Sequence, residues 1–361
     1  MRVAQLTFNT YENYGNILQK YALHAMLKKF VDFTEVLWFN GNKGSSDFWA
    51  KTAEVPASNL KSNLREAVKM TKFKEFHERY IKTRFNIPYI EELADDYDFF
   101  VVGSDQVWNP KLESVNMPLP IKFLNFVPPA KKIAYAASIG LKEIPAEFVN
   151  ACRQGISSFQ HISVRESNAV DIVKNLTGRN AELVLDPVLL LTADEWLKVS
   201  RRPSWLNEKY QRGYILTYFF KYRPVDDIKK LSKKLNLPVI NLFDENNFNH
   251  YITSPDEFIY LFANASLVFT HSFHGTAFSI LFKKPFLFYN KDNWINSVME
   301  RIISLLKMFN LENRILTSQT DSKFDSPFEI DFSVRDKILP QERLKALNFL
   351  VTALNSRVVN K

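Results

Sequence analysis

A single cysteine, Cys152, stands among 361 residues. That excludes an intramolecular disulfide and a zinc site built from cysteines, and it fits a reducing, cytoplasmic compartment. Glycine is sparse, nine residues against 31 phenylalanines, so packed elements are expected and few flexible linkers. No run of about 18 apolar residues occurs, so no membrane span is expected. The segment Met1 to Phe8 turns polar too soon for a signal peptide. There is no repeat and no low-complexity tract. A Walker lysine motif and a Gly-x-Gly-x-x-Gly after a strand are both missing, which argues against a P-loop nucleotidase and against a dinucleotide cofactor. Gly-x-Ser-x-Gly is missing too, so the usual serine hydrolase is not supported. No cluster has metal-ligand spacing, and no helix-turn-helix, zinc finger or aromatic RNA-binding sheet is visible, so neither a metal nor a nucleic-acid partner is expected.

What is present is strand and helix in alternation. Arg2 to Phe8 is an apolar run suited to a first strand, and Asn16 to Phe30 follows with apolar residues at helical spacing. Further strands are predicted at Thr34–Phe39, Asp98–Val102, Lys132–Ala137, His161–Val164, Glu182–Leu185, Tyr214–Phe220, Pro238–Phe243 and Pro285–Tyr289. Capping boxes at Thr192–Glu195 and Ser254–Glu257 open helices. A long basic region between Ser58 and Phe85 is predicted as two helices, and Gln341 to Arg357 as a last one. Such alternation means parallel sheets with helices on both faces. The length suggests two domains. The expected fold is therefore α/β, with two Rossmann-like domains facing a central cleft: 1–200, 201–335, and a final helix in 336–361 that crosses back to the first domain.

Ligands in open parallel sheets bind beyond the carboxyl ends of the strands. That rule selects four loops: Asn9–Asn16, Gly103–Trp108, Arg165–Ser167 and Thr270–Gly275. In the last, the run from Ser266 to Phe282 reads as a buried strand, a polar turn and a helix opening at Gly275. Unpaired N–H groups and the helix dipole make such a turn an anion site. His274, placed there, can donate a proton near neutral pH; the ordinary structural reading is a capped strand-to-helix connection. Arg165 ends a buried strand and suits a carboxylate or phosphate, or else pairs with Glu166 on the surface. Ser104 and Asp105 offer a hydroxyl and a proton acceptor, or merely a helix cap. Asn13, Tyr14 and Asn16 suit sugar hydroxyls, although Asn and Gly also form turns. Trp108 could stack on a sugar, but most tryptophans are packing.

Six pieces together resemble the polysaccharide pyruvyl transferase family. They are Tyr14–Gln19, Val102–Pro110, Tyr135–Gly140, Val164–Glu166, Leu185–Val188 and Ser272–Ser279, in order over roughly residues 10 to 290. The resemblance implies a two-domain GT-B-like transferase that moves an enolpyruvyl unit from phosphoenolpyruvate to a sugar, closing a ketal across two hydroxyls. It needs no cofactor beyond that donor. It implies His274 as acid and Arg165 as donor ligand, with Ser272, Phe273, Gly275 and Thr276 around the donor. Asp105 would serve catalysis, and Asn13, Tyr14, Asn16 and Ser104 the acceptor. Many relatives carry an arginine two residues before that histidine; here Ser272 stands there, and Lys283, Lys284 or Lys291 are candidates for the missing charge. The acceptor would be a surface-polysaccharide sugar or its precursor, free or lipid-linked. The net charge of +8 and the basic run Lys61, Arg65, Lys69, Lys72, Lys74, Arg79, Lys82 and Arg84 would suit peripheral contact with an anionic membrane, or simply a solvated face. A sugar-nucleotide glycosyltransferase and a non-catalytic carbohydrate-binding relative are the alternatives. Oligomeric state is not legible.

Overall fold

The computed structural model describes residues 1–39, 60–87, 91–112, 117–220, 223–291, 296–318 and 325–356. Two sheets, both parallel throughout, organise the chain. The first holds β1 (Arg2–Leu6), β2 (Phe33–Phe39), β3 (Thr83–Ile87), β4 (Phe99–Val102), β5 (Lys132–Ala137), β6 (His161–Val164) and β7 (Glu182–Leu183), in the order β3-β2-β1-β4-β5-β6-β7. The second holds β8 (Ile215–Tyr218), β9 (Val239–Leu242), β10 (Leu267–Thr270), β11 (Phe286–Tyr289) and β12 (Ile315–Leu316), in the order β12-β11-β10-β8-β9. The central strands are buried along their whole length, which is why they read as apolar runs rather than alternating ones. Strand order reverses between β1 and β4 and again between β8 and β10. At each reversal the loops part and leave a crevice. The two Rossmann-like halves predicted from the sequence are thus present, each with one such crevice.

Eight helices matter for the site: α1 (Tyr14–Leu27), α2 (Leu60–Tyr80), α3 (Ser167–Thr177), α4 (Pro187–Leu190), α5 (Pro255–Asn264), α6 (Phe273–Leu281), α7 (Asn296–Met308) and α8 (Ser333–Leu354). α1 is buried at nearly every position because it lies between the halves. Its first residue, Tyr14, donates from its hydroxyl to the Thr253 carbonyl at 2.6 Å and stacks on Phe258 at 4.6 Å. Burial of such a ring stabilises by about 1.5–3 kcal/mol. Tyr14, Leu18, Trp196, Phe258, Phe278 and Leu350 belong to one apolar core shared by both sheets. α8 returns from the second half: Arg343 donates to the carbonyls of Leu189 and Leu191, and Phe349 packs on Tyr135 and His161.

Three local expectations need correction. The basic region is one described helix, α2, followed by strand β3, because Thr83 to Ile87 pairs with β2 at the sheet edge; Ser58 lies outside the described residues. The last helix starts at Ser333, not after Pro340: the proline sits inside it, where it costs one intrahelical bond that the packing of α8 offsets. Helix α6 begins at Phe273 rather than Gly275, because the Ser272 side chain accepts from the Gly275 N–H and caps two residues earlier.

The basic helix is largely committed within the molecule. Arg65 pairs with Glu245 and Lys72 with Glu257 across the halves, Lys74 pairs with Glu78, and Arg84 with Asp96. Lys69 is buried, and the Lys61 side chain lies outside the described residues. Among the described residues no helix is long and apolar enough to cross a membrane.

Candidate active site

Strand ends and helix starts deliver the site. Arg165 and Glu166 follow β6 directly and α3 begins at the next residue. Asp105 follows β4 by two glycine-serine positions. Asp186 caps α4, accepting from the Val188 N–H at 3.0 Å. His274 lies in the first turn of α6. A fifth contributor, Arg301, comes from α7. That helix is pinned to the Arg165 loop one turn further on, where the Ser167 N–H donates to the Ser304 hydroxyl at 3.1 Å.

Arg165 is the hub. Its Nη1 donates to Asp186 Oδ2 at 2.6 Å and its Nη2 to Asp105 Oδ1 at 3.1 Å. Nε stands 3.9 Å from Glu166 Oε2. Its guanidinium carbon lies 4.5 Å from the centre of the Phe273 ring, which belongs to the opposite half. His274 Nε2 is 3.9 Å from the same Asp186 oxygen that Arg165 grips. One carboxylate therefore links an arginine from the first sheet to an imidazole from the second. The carboxylates are themselves anchored by the backbone. Glu166 Oε1 accepts from the Ser138 hydroxyl and from the N–H groups of Ile139 and Gly140. Gly15 makes room for the imidazole: a Cβ there would fall 2.0 Å from His274 Nδ1.

Arg301 is 5% exposed, and its Nε, like that of Arg165, has no hydrogen-bond partner among the described residues. Burial, then the Arg165 charge, press its pKa down to about 10 against the pull of Asp105, Glu166 and Asp186. The same groups act on His274. Burial lowers its pKa, Asp186 and Asp105 oppose, and Arg165 and Arg301 add to the lowering. The imidazole is therefore neutral at neutral pH until an anion joins it. Burial pushes Asp105 up, but Arg165, His274 and Arg301 outweigh it, so the carboxyl is held below its usual range. Among these carboxylates Asp105 alone keeps some exposure, 15% of its side chain. The Arg165 guanidinium, the His274 imidazole and the start of α6 thus lie together, with the buried Arg301 charge acting on the same groups, a set of donors suited to a compact anion.

The structure brings together Arg165, Asp105, His274 and Phe273 from the sequence-derived set. Asn13 is half-buried at the cap of α1, accepting from the Asn16 N–H; Asn16 is buried with its Oδ1 unpaired. Other members are placed differently. Tyr14 is fully buried and its hydroxyl is taken by Thr253, so it packs the halves rather than facing a ligand. Ser104 is fully buried, its hydroxyl within bonding distance of the Ala136 carbonyl and Asp186. Thr276 donates to the Ser272 carbonyl within α6. Ser272 spends its hydroxyl on the cap. Gly275 lies tight against Thr270 and Tyr218. Trp108 is packing, edge-on to Phe159. His271 is bound at the Phe220 backbone, and burial lowers it to about 4. Of the lysines considered for the missing charge, Lys283 pairs with Asp336 and Lys291 with Asp227. Arg301 was not anticipated, nor the roles of Asp186 and Glu166. The signal for Arg301 was its register: with Ile302 and Leu305 it falls on the core face of a helix, where an arginine is rare.

Comparison with known proteins identifies the family and the fold. The model of the polysaccharide pyruvyl transferase family matches residues 13–293. No curated protein matches the chain. Among solved structures, an Anabaena protein, Alr3699/HepE, in complex with UDP is similar at 12% identity and TM-score 0.51, over 99% of this chain and 100% of that one. UDP-N-acetylglucosamine 2-epimerase from Rickettsia bellii is similar at 9% identity and TM-score 0.50, over 98% and 97%. These likenesses establish the fold, which is of the GT-B kind. This chain belongs to the polysaccharide pyruvyl transferase family.

Proposed function

We propose that the protein transfers a pyruvyl group from phosphoenolpyruvate to two hydroxyls of one sugar in a surface polysaccharide or its precursor. The observation that carries this reading is the convergence of Arg165 and Phe273–His274, drawn from both halves, on Asp186, with the Arg301 charge acting on the same groups. Phosphoenolpyruvate has a carboxylate and a phosphate on a three-carbon frame, and two guanidiniums supply one cation for each. Arg165 is oriented by Asp105 and Asp186 and still has N–H donors to spare. Arg301 supplies the charge that Ser272 does not.

The chemistry follows from those positions. Protonated His274 gives its proton to the methylene carbon, and the neighbouring carbon becomes electrophilic. A sugar hydroxyl forms a bond to that carbon. The carbon–oxygen bond to phosphate breaks, a second hydroxyl closes the ketal, and inorganic phosphate leaves. Of the two hydroxyl protons, one replaces the proton that His274 spent and the other goes out with phosphate. Asp105, ionised and partly open, accepts a hydrogen bond from the attacking hydroxyl. Proximity and fixed charges supply most of the acceleration.

The test is phosphate release from phosphoenolpyruvate, followed with lipid-linked and free glycan acceptors, together with mass analysis of the product. The expected product is heavier than the acceptor by one pyruvate less water, and His274→Ala makes none. Consumption of nucleotide sugars alone would overturn the reading in favour of glycosyl transfer.

A further inference from the structure

We infer that a cavity between α2 and the ends of β8 and β9 is the sugar subsite of the acceptor, and that it takes a neutral or amino-bearing pyranose rather than an acidic one; this rests on the pyruvyl-transfer reading above. The cavity measures about 350 Å³, inside the range of roughly 300–1,000 Å³ that small-molecule pockets occupy. Both halves build it. Glu12, Asn13, Glu66 and Lys69 come from the first, and Phe220, Phe243 and Tyr251 from the second.

Its chemistry is mixed in the way a sugar requires. Phe220 and Phe243 are half-buried, 5.6 Å apart and tilted by 42°, so ring surface is left for the C–H face of a pyranose. Lys69 holds its ammonium 3.8 Å from the centre of Phe243 and 5.1 Å from that of Tyr251. It makes no hydrogen bond to a described residue, so its three donors are available to ligand oxygens. Burial lowers its pKa to about 8, against Glu66 and Glu12, so it stays charged at neutral pH. Glu66 accepts the Tyr251 hydroxyl through one oxygen and keeps the other for a sugar hydroxyl. Two carboxylates against one ammonium give the cavity a formal charge of −1 (−2 + 1). An acidic sugar would have Lys69 as its one cation, already countered by Glu66 and Glu12, which is how such a site disfavours it.

Its location suits a transfer acceptor. Asn13 lines the cavity, and two residues later Gly15 lies against the His274 imidazole. On the other wall Phe219 and Phe220 touch His271, the neighbour of Ser272. A sugar on Phe220 would thus stand next to the donor space and in contact with the same turn.

The experiment is saturation-transfer NMR on the full chain without donor. The probes are the methyl pyranosides of glucose, galactose, glucosamine, N-acetylglucosamine and glucuronate. At least one neutral or amino sugar is expected to receive saturation on its ring protons, with glucuronate several-fold weaker. Phe220→Ala and Glu66→Gln are each expected to cut the signal at least five-fold while leaving the melting shift given by phosphoenolpyruvate unchanged. Glucuronate binding best, no sugar binding, or full signal in both variants would overturn the subsite. Sugar binding that responds to the variants without any response to phosphoenolpyruvate would keep the subsite and sink the donor reading instead.

Discussion

Replacing Arg301 with methionine should stabilise the protein and disable it. The guanidinium is buried and its Nε is unpaired. Its pKa in the fold is about 10 against an ordinary 12.5. The gap of 2.5 (12.5 − 10), at 1.36 kcal/mol for each, sets a cost of about 3 kcal/mol for carrying the charge. The sign is that of a base with a depressed pKa. The cost is fully present below pH 10 and fades only as pH climbs from there toward 12.5. Methionine keeps the length and drops the charge, so it should recover part of that net cost, about 1–3 kcal/mol. A gain at the lower end raises Tm by only about 1–2 °C for a chain of 361 residues. Donor binding moves the other way. A hydrogen bond to a charged group contributes about 1.5–3 kcal/mol. Losing a two-bond grip on phosphate or carboxylate then weakens donor affinity by about 100-fold or more. Thermal melts at pH 7 and a phosphoenolpyruvate titration read the two effects separately. A lower Tm would show that the fold relies on this cation; unchanged donor affinity would remove it from the site. Either result refutes the reasoning above.

Arg165→Ala is expected to behave in the opposite way on stability. It orphans Asp105 and Asp186 in the interior, and breaking such buried pairs costs about 3–5 kcal/mol, so urea midpoints should fall along with activity. The pH profile should place the acid. His274 sits below its ordinary 6.5 in the free protein through burial, Arg165 and Arg301, and bound phosphate offsets both arginines. Both kcat/KM for donor and kcat should fall as pH rises, since the acid form is lost. The midpoint for kcat should lie higher, and a midpoint for kcat at or below that of kcat/KM would count against His274 as the acid. Gly15→Ala brings a methyl group to 2.0 Å from His274 Nδ1. It should cost about 1–3 kcal/mol and most of the turnover; wild-type kcat would show that the imbalance is absorbed elsewhere.

The two sheets were legible because their strands are short apolar runs bounded by turns and caps. The anion-binding loops were legible because the carboxyl-end rule needs only strand direction. Asp105 and His274 follow strands at the two topological reversals, and Arg165 reaches them from the end of β6, two strands along the first sheet. The errors have local causes. Ser272 was read as a ligand contact, but a serine before an apolar helix is first of all a cap, and the structure spends it there. Tyr14 and Ser104 were read as polar contacts from residue type alone. Whether a hydroxyl faces a ligand or a neighbouring carbonyl depends on the opposite half of the molecule, which local sequence does not contain. Edge strand β3 was hidden inside a basic stretch, because an edge pairs on one side only and needs no long apolar run.

The proposal that Arg301 supplies the charge that Ser272 does not rests on the same physics. The start of α6 can hold either a capping hydroxyl or a long charged chain at its boundary residue, and a serine there secures the helix that carries His274. The electrostatic need is then open, but it is a need for charge at a point in space rather than at a point in the chain. α7 packs against both α3 and α6 and is fixed to the Arg165 loop through Ser304. A side chain one turn before Ser304 is therefore held on the same side of the helix, and the charge of the arginine there acts on Asp105 and His274 without disturbing the cap. With no hydrogen bond from its Nε to a described residue, it has a donor left for an anion. Restoring arginine at 272 in the Arg301→Met background tests this directly. Regained donor affinity with a lower Tm would show that the site asks for charge and the helix for a cap. No recovery at a melting temperature equal to that of Arg301→Met would show that the two positions are not equivalent.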